Sequence, residues 1–92
     1  MTQEWQLQTK YKRSDDMLGA AVGEELLMMS VAQGNYYSLN EVGKRIWELL
    51  EQPMSLDELV AQLTKEYDVP EVACREEVER FLAAMRERGM LA

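Results

Sequence analysis

A chain of 92 residues is one domain, near the lower end of what can bury an independent core, and its 47% hydrophobic content suits a globular fold and excludes a disordered one. The net charge of −7, from 17 acidic against 10 basic residues, disfavours a nucleic-acid partner. Arg75, Arg80, Arg86 and Arg88 are interleaved with Glu76, Glu77, Glu79 and Glu87 and form no basic patch.

Residues 1–13 are polar, with Trp5, Leu7 and Tyr11 scattered among them. No helical or strand period holds there, which predicts a flexible or loosely docked arm ahead of a domain over 14–92. Three short runs follow, at 18–22, 26–31 and 35–39, each of strand length. Gly23-Glu24 offers a glycine where a type II′ turn needs positive φ, and Gly34 can take the left-handed conformation between the second and third runs. The runs therefore predict an antiparallel meander. Leu26, Leu27, Met28 and Met29 are apolar on both alternating faces, so the middle strand is expected to be covered on both sides or to face a partner. In the third run Tyr37 and Leu39 read as the packing pair, and Tyr36 and Ser38 as the outward pair.

Asn40 then serves as an N-cap and the period changes to 3.6, with Val42, Ile46, Trp47, Leu49 and Leu50 on the apolar face of a first helix that Gln52-Pro53 ends. Trp47 reads as a core anchor. Ser55 and Glu58 form a capping box for a second helix, with Met54 and Leu59 at the staple positions and Leu56, Leu59, Val60, Leu63 and Tyr67 as its buried stripe. A third helix runs from near Pro70 to Arg88, with Cys74, Val78, Phe81, Leu82 and Met85 inward. Gly89 suits a left-handed C-cap that folds Met90 back on Met85. The last three residues leave room for only a token strand. The order β-β-β-α-α-α is that of an α+β domain with helices against one face of a small sheet.

The sequence has no histidine and one cysteine, Cys74, which removes the commonest general base, the commonest metal ligand and any intramolecular disulfide. No enzyme, no metal site and no cofactor are expected. Cys74 reads as a small buried hydrophobe. The polar start carries no apolar core of signal-peptide length, and no apolar run approaches the ~20 residues that cross a bilayer. A soluble cytoplasmic protein without a membrane role is the expectation.

Gly34-Asn35-Tyr36-Tyr37-Ser38-Leu39-Asn40 and Ile46-Trp47-Glu48-Leu49-Leu50, followed in order by Ser55-Leu56-Asp57-Glu58-Leu59, Leu63, Tyr67, Val78, Phe81-Leu82 and Gly89-Met90-Leu91, resemble the signature of the coenzyme PQQ synthesis protein D (PqqD)-like family over most of the chain. The resemblance implies a winged-helix-like fold and a recognition element for ribosomally made, post-translationally modified peptides. Such a module binds the leader of a precursor peptide and presents it to a modifying enzyme, such as a radical S-adenosylmethionine protein or a leader peptidase. It implies that the leader docks as an extra strand on the third strand, beside the third helix. The turn Gln33-Gly34 and the double aromatic look like the broader PqqD-like group, so the pathway is PQQ biosynthesis or a related peptide modification.

The residues agree physically, because an open strand edge accepts an extended peptide by β-augmentation. The peptide-binding set expected on this reading is Asn35, Tyr36, Tyr37 and Ser38 on the strand, Val78 and Leu82 as apolar floor, Arg75 and Arg86 as cations for an acidic leader, and Lys44 just past the strand. The plainer reading of those arginines is a solvated helix face with pairs such as Glu71–Arg75 and Glu76–Arg80. Two other functions compete. One is a winged-helix DNA-binding regulator, for which Glu71, Glu76, Glu77, Glu79 and Glu87 make a poor phosphate partner. The other is a structural homodimer paired through the same strand edge.

Overall fold

The computed structural model describes residues 9–92. β2 (Met17–Val22), β3 (Glu25–Ser30) and β4 (Tyr36–Leu39) form an antiparallel meander in spatial order β2-β3-β4. The first turn leaves Gly23 at φ 63° with no positive φ at Glu24, the type II′ pattern that the right-handed twist of a hairpin favours. The second is a longer loop closed on Ser30. Gly34 N–H donates to Ser30 O at 2.7 Å and Gln33 N–H to Ser30 Oγ at 3.2 Å.

One face of the meander is core. Leu26, Met28 and Leu39 are buried there and Tyr37 packs beside them. The opposite face stays uncovered, with Leu18, Val22, Leu27 and Tyr36 exposed. The two-sided apolar run of β3 is thus covered on one side within this chain.

The helices α1 (Glu41–Leu49), α2 (Leu56–Glu66) and α3 (Glu71–Glu87) close the inner face. Asn40 caps α1 by accepting from Gly43 N–H at 2.9 Å. Ser55 and Glu58 complete the capping box at the start of α2. At the end of α3, Gly89 takes φ 70°; its N–H donates to Arg86 O and Met90 N–H donates to Met85 O at 2.8 Å. Those two bonds are the Schellman pattern, and Met85 and Met90 are both fully buried by it. Ile46, Trp47, Leu50, Leu59, Leu63, Val78 and Leu82 fill the space between helices and sheet. The architecture is α+β, a three-stranded antiparallel sheet with three helices.

Part of the expected arm is docked on the domain. Residues 1–8, with Trp5 and Leu7, lie outside the described residues, but residues 10–14 are held in place. β1 (Lys10–Tyr11) pairs antiparallel with β5 (Met54–Ser55), a second, two-stranded sheet that no strand-length apolar run signals. Arg13 N–H donates to Leu50 O, Ser14 N–H to Met90 O and Ala92 N–H to Lys12 O, and Arg13 bridges to Leu91. Tyr11 packs on the core and Lys10 Nζ reaches Glu58 at 2.8 Å. Residues 10–14 are thus a docked segment, joined to the tail.

Candidate peptide-binding groove

The free edge of β4 can be read from the ladder. Ser30 N–H donates to Asn35 O at 2.9 Å, and the register pairs Met28 with Tyr37 and Leu26 with Leu39. Hydrogen-bonded and non-bonded pairs alternate along an antiparallel ladder. Tyr37 and Leu39 thus turn their backbone groups toward β3, while the N–H and C=O of Tyr36 and Ser38 turn away from it. No described element pairs with that side, since β1 and the tail pair with β5 and with each other. The side chains alternate too. Tyr37 and Leu39 face the core, and Tyr36 and Ser38 face out, where Ser38 Oγ donates to Glu25 Oε1 at 3.1 Å.

Two contacts show how α3 lies beside this edge. At the Leu39 end, a Cβ on Gly43 would stand 3.0 Å from the Phe81 ring and 3.3 Å from Leu39 Cβ, so α1, α3 and β4 converge there. At the Tyr37 end, the Arg88 guanidinium lies 5.0 Å from the centre of the Tyr37 ring. Going from Phe81 to Arg88 covers about 10 Å of helix. α3 therefore runs alongside β4 in the opposite sense, so a strand added at the open edge would form a candidate groove with it.

Just past Leu39, next to Asn40, lies a cavity of about 330 Å³, within the range of small-ligand sites. Val42 of α1, Tyr67 and Val69 of the α2–α3 connection, and Glu77, Val78 and Phe81 of α3 line it. Arg45 ties α1 to α2. Its guanidinium forks onto Glu66 with two 2.7 Å contacts, and Gln62 donates to the same carboxylate at 2.7 Å. The fork holds the Glu66 carboxyl below its usual pKa and raises that of Arg45. Burial raises the Tyr67 hydroxyl, with Glu41 and Glu66 adding to it. Burial raises the Cys74 thiol as well, with Glu77 adding. Cys74 is thus an inert wall residue, not a thiolate.

The structure separates the residues expected to bind. Asn35, Tyr36, Tyr37 and Ser38 stand together along the edge. Val78 lines the cavity, whereas Leu82 lies beneath it in the core at 4% exposure. Arg75 and Arg86 occupy the far flank of α3. Arg75 Nη2 pairs with Asp57 at 2.8 Å, in place of the expected Glu71, and Arg86 covers the Tyr11 ring at 5.7 Å. Neither points to the β4 side. Lys44 lies under β2, in a cleft with Met17, Ala21 and Trp47. Trp47 is a core residue at 6% exposure, capped by Arg13. Phe81, Glu77, Tyr67 and Arg88 complete the groove without having been expected there. Arg88 follows Phe81 by seven residues, which puts the two on one face of a helix; that spacing was the available signal. No cluster of metal-ligating side chains occurs among the described residues.

The sequence profile described as Coenzyme PQQ synthesis protein D (PqqD) matches residues 25–91, from the start of β3 into the tail. The chain belongs to the PqqD family. Among solved structures, TbiB1 in complex with the TbiA(beta) leader peptide is 31% identical with a TM-score of 0.79, over 87% of this chain and 93% of that one. Lasso peptide synthetase B1, complexed with the leader peptide, has a TM-score of 0.77 over 89% of this chain and 96% of that one, and at 20% identity it speaks for the PqqD-type fold alone. A search of curated protein sequences gave no significant match.

Proposed function

We propose that this PqqD-family protein is a non-catalytic adaptor. It binds the leader of a ribosomally made precursor peptide by β-augmentation on β4 and presents it to a modifying enzyme, such as a radical S-adenosylmethionine protein or a leader peptidase. The observation that carries this reading is the outward backbone of Tyr36 and Ser38, which pairs with no element among the described residues, beside α3 and next to an apolar cavity. An extended guest would satisfy those groups, and alternate side chains would enter the groove. The leader peptide held by the 31%-identical TbiB1 supports the choice of ligand class. The chain contributes binding and orientation, with the chemistry left to its partner in PQQ biosynthesis or a related pathway. The absence of histidine and the buried state of the single cysteine support that division. No helix among the described residues is long and apolar enough to cross a membrane; the proposed adaptor works in the cytoplasm, beside its peptide-modifying partner.

A random twelve-residue peptide library displayed on phage, selected on the purified protein with Ser38→Pro as counter-target, tests the proposal. Peptides that bind the wild type and protect the Tyr36 and Ser38 amides from exchange are the expected result. Enrichment on both proteins alike, or none on either, would sink the edge-binding reading.

A further inference from the structure

Resting on the β-augmentation reading, we infer that the groove is electrically polarised: Arg88 reads an acidic side chain of the docked strand, and the cavity beside Glu77 takes an uncharged apolar one. Charge would then set the register of a guest whose backbone pairing alone permits slippage.

Arg88 is exposed at the C-cap of α3 and its guanidinium is steadied over Tyr37. Arg13, Arg45 and Arg75 each have a carboxylate within 4 Å, namely Glu51, Glu66 and Asp57. Arg88 has no such partner among the described residues. A strand added to β4 would lie about 4.8 Å from it, so the guest residue opposite Tyr37 would stand beside that cation. At the other end the signs reverse. Glu77 lines the cavity and Glu41 opens α1 next to it, and they act on the buried Cys74 thiol and the half-buried Tyr67 hydroxyl respectively. A guest carboxylate would be repelled there, and the apolar walls of Val42, Val69 and Phe81 suit an aliphatic or aromatic side chain.

Guest side chains on the groove face recur every second residue, about 6.8 Å apart. The Leu39 end and the Tyr37 end are thus matched by an apolar and an acidic residue two or four positions apart. If the guest continues the antiparallel pattern of the meander, it enters at the Leu39 end, so the apolar residue precedes the acid.

The same phage selection decides the matter when run in parallel on wild type, Arg88→Glu and Arg75→Glu. Wild type is expected to enrich Asp or Glu two or four residues after a large apolar residue. Arg88→Glu should replace that acid with Lys or Arg, and Arg75→Glu should keep it. A synthetic copy of the best wild-type peptide should bind Arg88→Glu about tenfold more weakly and Arg88→Ala about threefold more weakly, as for a rim ion pair. Its amide analogue, with Asn or Gln for the acid, should bind all three within about twofold. Thermal unfolding of each variant reports whether the fold persists, and the Arg88→Ala comparison stands if Arg88→Glu does not fold. Wild-type-specific peptides without an acid at fixed spacing, or with an acid indifferent to residue 88, would overturn the inference and leave edge binding intact. A selection yielding nothing that distinguishes wild type from Ser38→Pro would remove edge binding and the polarity together.

Discussion

Proline substitutions along β4 should reveal the parity of the edge. Tyr37 and Leu39 direct their N–H groups to Met28 and Leu26, and Tyr36 and Ser38 direct theirs to the open side. Proline at 37 removes a ladder bond and the half-buried ring that packs on the core, which costs about 3 kcal/mol or more. Proline at 38 removes no ladder bond and only the exposed Ser38–Glu25 contact, so its cost is about 1 kcal/mol, mostly from forcing φ. Binding should follow the opposite order. A guest strand would lose the Ser38 donor, worth about 1 kcal/mol net, and would meet a ring where its carbonyl should sit, so a loss of more than tenfold is expected. Urea unfolding gives the stabilities, and fluorescence anisotropy with a phage-selected peptide gives the affinities. Equal destabilisation by Tyr37→Pro and Ser38→Pro would refute the assigned hydrogen-bond parity. Retained affinity in a folded Ser38→Pro protein would refute the use of the edge.

Three further outcomes test the frame of the groove. Glu66 has its carboxyl pKa lowered from 4.5 by Arg45, so its contribution is complete above about pH 4.5 and fades as pH falls through the depressed value; Glu66→Gln should flatten that acid limb of the stability profile, measured by urea midpoints from pH 3 to 7. Gly43→Ala places a methyl 3.0 Å from the Phe81 ring, so it should lower stability by about 1 kcal/mol and weaken peptides with a bulky apolar anchor more than those with alanine there. Gly89→Ala forces a Cβ onto φ 70°, and a loss of about 1 kcal/mol in urea unfolding is expected, with Arg88 displaced from Tyr37.

What could be read from the sequence was what local rules write. Turn glycines, the Ser55–Glu58 box and the Gly89 cap each need only neighbours within a few residues, and each formed as expected. The inward pair of β4 followed from alternation alone. Helix faces were legible as apolar stripes but not as directions around the core. Arg75 and Arg86 sit 100° or more from the groove flank of α3, and a stripe of Cys74, Val78, Leu82 and Met85 does not say on which side the sheet will lie. Lys44, at the point where the chain becomes helical, lies in a cleft with β2 residues, which its place just past the strand did not announce. The two-residue pairing of β1 with β5 is set by the tertiary meeting of distant segments, which a periodicity too short to register cannot announce.

The segment read as an arm turns out to help position the wall of the groove. Arg88 can stand over Tyr37 only if α3 ends where it does. That end is tied by Met90, whose side chain is wholly buried and whose carbonyl accepts from Ser14 N–H at 2.8 Å. Ala92 N–H donates to Lys12 O, so strand-like pairing of residues 12–14 with residues 90–92 anchors the helix terminus. The same pairing consumes backbone groups of residues 12–14 and 90–92 that could otherwise have reached the β4 edge. Openness toward a guest and rigidity of the wall that selects it thus have one structural origin, the docking of residues 10–14 against β5 and the tail.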